Sequence, residues 1–154
     1  MKRFSLPRLL VAVTAVLFSL SATAEKKKDI YMFGVATDFI DSVAYVTTIQ
    51  QIDSAILQRG TDFLLGRSLY SVQLKKYAES QLGKLHEVPA LFFSTDKGKL
   101  EKKYNKVLKN IKKDTPLFLQ VLSENDFRFA PVSKEQIIEQ GHLAPAPSPT
   151  GPQM

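Results

Sequence analysis

Lysines dominate the stretch from Lys97 to Lys113. At about 100° per residue a helix there would place Lys99, Lys102, Lys103, Lys106, Lys109 and Lys113 within an arc of roughly 120°. No acid falls inside that arc. A single-sign stripe of this kind can dock on lipid phosphates, lipopolysaccharide or an acidic protein partner, with an affinity that salt weakens. The same residues also suit a solvated helix face whose lysine stems cover neighbouring apolar surface. No aromatic residues interleave with the lysines on that face. This argues against single-stranded nucleic acid, which needs stacking platforms as well as charge.

A second grouping surrounds the first expected hairpin. Asp38, Asp41, Tyr45 and Arg67 could converge on a cleft and supply carboxylates, a hydroxyl and a cation to a small hydrolase. Turn and core positions explain the same residues with fewer assumptions, because aspartate side chains bond nearby turn amides and a tyrosine on a strand packs in a core.

Other chemistries lack their residues. His86 and His142 are more than fifty residues apart and have no cysteine or His-x-x-x-His spacing near them, so no metal site is expected. Ser71, Ser94 and Ser123 are outside any Gly-x-Ser-x-Gly elbow, and the scattered single glycines form neither a P-loop nor a dinucleotide turn. No cofactor is expected. Fifteen carboxylates could supply a glycosidase pair, but nothing local selects two of them. Enzyme activity has no positive support in the sequence.

The 154 residues are 44% hydrophobic and 23% charged, an ordinary globular composition. The first 24 read as an export signal: Lys2, Arg3 and Arg8, then the apolar run Leu9 to Phe18, then the small residues of Ala22-Thr23-Ala24. Cleavage is expected near Ala24. The run is too short to span a bilayer, and no later segment is long and apolar enough to do so, so no transmembrane segment is expected after signal removal. The mature chain would carry 18 basic and 15 acidic residues, a net +3, and would be periplasmic or secreted. With no cysteine, hydrophobic burial alone must hold it together.

The elements that must position these residues follow from periodicity. Ile30 to Val35 and Val43 to Ile49 predict strands, and Ile52, Ile56 and Leu57 predict a helical turn from Asp53. Ser68 is expected to cap a helix with the stripe Tyr70, Leu74, Tyr77 and Ala78, ended by Gly83. The stretch between Arg59 and Arg67 suits helix or loop. Val88 to Ser94 predicts a strand buried on both faces, followed by a helix capped at Thr95 or Asp96 with Leu100, Tyr104, Val107, Leu108 and Ile111 on one stripe. Leu117 to Leu122 predicts a strand, Phe127 to Phe129 its hairpin partner, and Val132 to Ile137 a helix start with a Ser133-x-x-Gln136 capping box and a staple. The expected class is α+β: a mixed four- to five-stranded sheet with helices packed against it, in the order β-β-α-β-α-β-β-α. One domain spans residues 25–139, and residues 140–154, rich in proline and alanine, predict a disordered tail.

The segments Tyr31-Met32-Phe33-Gly34-Val35-Ala36, Asp41-Ser42, Thr48-Ile49-Gln50, Arg67-x-x-Tyr70-Ser71-x-Gln73-Leu74, Phe92-Phe93 and Lys99-Leu100-Glu101-Lys102-Lys103-Tyr104 resemble a family of small exported proteins from Bacteroides-type bacteria. The likeness covers Ile30 to Ile111. It implies an exported, envelope-associated location and carries no assigned activity or functional residues. The leading expectation is a non-catalytic protein that binds an anionic envelope component or a protein partner. The small hydrolase stands second.

Overall fold

In β1 (Glu25–Thr37), Ile30, Met32, Gly34 and Ala36 point to one side and Tyr31, Phe33 and Val35 to the other. Both faces therefore need cover, and the strand sits inside a sheet. The structure, a computed structural model, describes residues 25–38, 42–114 and 118–141. The expected export signal, Asp41 in the first loop, Leu117 and the tail from His142 lie outside the described residues.

β2 (Val43–Thr47) and β3 (Gln50–Gln58) follow one another along one edge of β1, and β4 (Val88–Ser94) lies along the other, all antiparallel to it. β5 (Phe118–Leu122) pairs parallel with β2. Three helices, α1 (Arg67–Gln81), α2 (Lys97–Asp114) and α3 (Lys134–Glu139), complete an α+β fold built on a mixed five-stranded sheet. β4 and β5 run in the same direction, but β1 and β2 separate them, so the connection through α2 crosses two strands.

The class matches the expectation while the order does not. The chain runs β-β-β-α-β-α-β-α, and the fifth strand is β3, where a helical turn was expected. A bulge explains the error. Lys28 pairs with Ala55 and Ile30 with Ile52, so Asp53 and Ser54 together face Asp29 alone. The extra residue moves the buried set from Gln50 and Ile52 to Ala55 and Leu57, and the resulting offsets between Ile52, Ile56 and Leu57 imitate a helical period. Ser54 takes a left-handed conformation (φ 54°), with its N–H donating to Asp29 Oδ1 at 2.9 Å.

The expected strand at Phe127 to Phe129 is an extended segment outside the ladder. Its alternation is real, since both rings are buried, but apart from the Phe127 N–H, which donates to the Ser123 carbonyl at 3.0 Å, its hydrogen bonds are to side chains. Gln50 Nε2 donates to the Phe127 carbonyl at 2.8 Å, and Gln50 Oε1 accepts from the Phe129 N–H at 2.9 Å. Gln73 holds Ala130 in the same two-pronged way, at 3.0 and 2.8 Å. Val132 N–H donates to the Tyr70 hydroxyl at 3.2 Å.

Two cores result. α1, α3 and the segment at Phe127 to Val132 cover the sheet face of Ile30 and Met32, where Tyr70, Leu74, Phe129 and Ile137 are buried. α2 covers the opposite face, with Leu100, Tyr104, Val107, Leu108 and Ile111 against Phe33, Val35 and Val46. The expected α2 stripe is therefore observed, as are the Ser133–Gln136 capping box and the burial of its Val132 and Ile137 staple pair. α1 begins at Arg67, one residue before the expected cap. Its N-cap is Gly66 at φ 69°, without a side-chain cap, and the Ser68 hydroxyl donates instead to Gln140 Oε1 at 3.0 Å. The stretch before it forms a tight return onto β3, with Leu65 N–H donating to the Ile56 carbonyl at 2.9 Å. At the other end Gly83, at φ 65°, turns the chain so that Lys84 N–H returns to the Ala78 carbonyl at 2.9 Å. β4 lies at an edge rather than between two neighbours, and Val88 and Ala90 are exposed. An edge position also accommodates Pro89.

Candidate binding surface

Asp96 starts α2 by accepting the Lys99 N–H on Oδ1 at 3.0 Å. The helix then docks through rings: Phe33 stacks on Phe92 at 4.8 Å and meets the edge of Tyr104 at 4.9 Å. Burial pushes the Tyr104 hydroxyl pKa above its ordinary value, so the phenol stays neutral at physiological pH. With the apolar stripe turned down, the lysines must face out. All eight lysines of α2 are exposed.

Glu101 is the single acid whose side chain is described on this helix, and it pairs with Lys97 at 4.0 Å. Among the described residues no acid pairs with Lys99, Lys102, Lys103, Lys106, Lys109 or Lys113, the six that the sequence singles out. The charge is concentrated. α2 holds eight lysines against two acids, a net +6, while the rest of the chain after residue 24 holds ten basic and thirteen acidic residues, a net −3. Like charges one turn apart repel by a few tenths of a kcal/mol per pair, so the helix keeps this face against its own stability.

Aromatic residues from the sheet flank the stripe, a feature invisible along the helix sequence alone. Lys97 Nζ stands 5.9 Å from the Tyr31 ring centroid and Lys103 Nζ 5.4 Å from that of Phe92. Lys99 and Lys103 also form the rim of an open groove of about 360 Å³ floored by Leu91, Phe92 and Leu100. A second shallow concavity, of about 460 Å³, lies among Asn105, Leu108, Lys109, Lys112 and Lys113.

The alternative cleft is dispersed. Asp38 follows β1 in a half-buried position, and Asp41 lies outside the described residues. Tyr45 is 6% exposed within the α1-side core. Arg67 Nη2 donates to the Leu91 carbonyl at 2.7 Å, and its guanidinium lies 5.8 Å from the Phe93 ring centroid. The groove beside Arg67, about 260 Å³, is lined by Gln58, Phe63, Leu64, Leu65, Gly66 and Ser68 and includes neither Asp38 nor Tyr45. Tyr70, deeper in that core, has its hydroxyl pKa raised by burial, against the partial opposing effect of the Val132 N–H bonded to it. Among the described residues no group of three or more His, Cys, Asp or Glu is placed to hold a metal ion, and no helix is long and apolar enough to cross a membrane.

Sequence reading missed the roles of Gln50, Gln73 and Arg67. All three act on backbone groups of segments distant in sequence, at separations of 24 to 79 residues, and no local pattern marks such partners. Comparison with known proteins found no matching family, no similar curated protein and no similar solved structure.

Proposed function

We propose that this is an exported, non-catalytic binding protein, periplasmic or secreted, that docks on an anionic component of the cell envelope through the lysine face of α2. The observation that carries the reading is the row of exposed lysines without acidic partners on a helix of net +6 attached to a body of net −3. Such a dipolar arrangement orients the molecule toward a negative surface as it approaches. Lysine ammonium groups on flexible stems suit phosphate groups spread over a surface, since each acts as a point charge without a fixed bidentate geometry. Clustered lysines near anionic lipid contribute about 1 kcal/mol each, so four or five engaged together give useful affinity. The small hydrolase built on Asp38, Asp41, Tyr45 and Arg67 has less support, because Tyr45 is buried and Arg67 is bonded to backbone.

Titration against vesicles with and without phosphatidylglycerol, in low and in high salt, tests the proposal. Binding that needs the anionic lipid and weakens steeply with salt is the expected result. Equal affinity for neutral vesicles, or no binding in low salt, would overturn it.

A further inference from the structure

The outer edges of β4 and β5 are treated differently. On β4, Pro89 has no N–H to offer, and the Leu91 carbonyl is taken by Arg67 Nη2 at 2.7 Å, so that edge is blunted against another strand. β5 has no such protection among the described residues. Its Phe118 N–H donates to the Ser42 carbonyl at 2.7 Å, and its Leu122 carbonyl accepts from Thr48 N–H at 2.9 Å. In a parallel ladder, bonding residues alternate. Phe118, Gln120 and Leu122 therefore face β2, while the N–H and C=O groups of Leu119 and Val121 point outward. The strand Phe118-Leu119-Gln120-Val121-Leu122 carries no charge and no proline. Phe118 is 76% exposed and Val121 47%.

We propose that β5 pairs antiparallel with β5 of a second copy of this chain, about a two-fold axis at Gln120, joining two sheets into one. The register follows from the outward groups. Leu119 and Val121 of one copy must face Val121 and Leu119 of the other as hydrogen-bonded pairs, giving four backbone bonds, and Gln120 then faces its own symmetry mate. This register sets no charge against the apolar residues. Leu119 meets Val121 on the α2 side, and on the opposite side the exposed Phe118 stands opposite Leu122, whose own side chain is buried in the α1-side core, while two glutamine amides can bond to each other. A one-residue slip would turn outward groups against inward ones and forfeit the ladder. The interface is small, so a reversible dimer with a dissociation constant on the order of micromolar is expected.

The axis is perpendicular to the sheet, and both α2 helices consequently lie on one face of the dimer. Each packs over β1 and β4 and reaches β5, so the helices lie across the sheet on the same side of the joined strands. A pair of basic faces on one side of the dimer would engage a surface with avidity. The dimer itself does not depend on what the lysines bind.

Sedimentation velocity of the purified full chain over a wide concentration range reads the association. The chain contains no cysteine, so Gln120→Cys introduces one thiol per copy at the proposed axis, where facing Cα atoms should lie about 4.5 Å apart. Mild oxidation is expected to cross-link Gln120→Cys dimers nearly completely. Leu119→Cys should cross-link at least ten-fold less, and Phe118→Lys with Val121→Lys should yield a monomer that retains the native circular dichroism spectrum. A chain that stays monomeric at several hundred micromolar, a dimer that survives the double lysine variant, or equal cross-linking at positions 119 and 120 would overturn the proposal. Vesicle binding by that monomeric variant, at reduced avidity, would separate this interface from the lysine face.

Discussion

Gln50 Oε1 accepts the N–H of Phe129 at 2.9 Å, joining residues 79 apart in sequence. Its amide nitrogen donates to the Phe127 carbonyl at 2.8 Å, so one side chain, 1% exposed, satisfies both a donor and an acceptor of a segment that has no strand beside it. That satisfaction keeps Phe127 and Phe129 over the α1-side core, where their rings meet edge to face at 4.8 Å. Replacing Gln50 by Leu removes both bonds and strands two buried backbone groups. The expected loss is about 2–4 kcal/mol by urea unfolding, against about 1 kcal/mol for Gln73→Ala at the exposed Ala130 clamp.

Gly66 is required twice over, by its φ of 69° and by space. A Cβ there would lie 2.9 Å from Ile137 Cγ1 and 3.1 Å from Val132 Cγ1. Gly60, at φ 87°, has nothing within 4 Å of the same position, so it isolates the conformational part of the cost. Gly60→Ala should cost about 1 kcal/mol and Gly66→Ala about 2–4 kcal/mol, both read from the urea midpoint. The difference measures how tightly α3 is held against the start of α1.

At the β3 bulge the strain is held by a non-glycine residue. Ser54 sits at φ 54°, and its exposed side chain contributes nothing to the core. Ser54→Gly is expected to raise stability by about 0.5–1 kcal/mol, because glycine adopts this region without the Cβ clash. Asp29→Ala, which removes the carboxylate accepting the Ser54 N–H, should lower it by about 1 kcal/mol. Thermal unfolding of the two variants beside the parent chain checks both signs.

Legibility in the sequence divides along physical lines. The apolar stripe of α2, the Ser133–Gln136 box and the glycine after α1 are local signals with short-range partners, and each appears where its spacing predicts. Ile52, Ile56 and Leu57 misled because one inserted residue converts a two-residue period into an apparent helical one. Phe127 and Phe129 misled in a different way. Their alternation reports burial on one side, which a strand and a side-chain-clamped extended segment share. For the candidate surface, the lysines were legible on the helix, whereas Tyr31 and Phe92 reach it only through sheet packing.

Acid should weaken the turn after β5 through one carboxylate. Asp126 Oδ2 accepts from the Ser123 hydroxyl at 2.7 Å and from the Ser123 N–H at 2.9 Å, and these bonds hold its pKa below the usual aspartate range. A depressed folded pKa means that the contribution is fully present above the unfolded value, near pH 4, and is lost as pH falls through the folded one. Asp126→Asn should therefore reduce stability at neutral pH and flatten the decline below about pH 4. Urea midpoints of both chains across that window test the sign, and an unchanged slope would contradict it.

Backbone NMR of the isotopically labelled chain, recorded with and without phosphatidylglycerol vesicles in low salt, tests anionic docking by the lysine face of α2 residue by residue. Shifts or line broadening concentrated at Lys99, Lys102, Lys103, Lys106, Lys109 and Lys113, and reversed by high salt, are predicted. Perturbations centred on the α1 side of the sheet, or none at lipid concentrations that bind the protein, would contradict it.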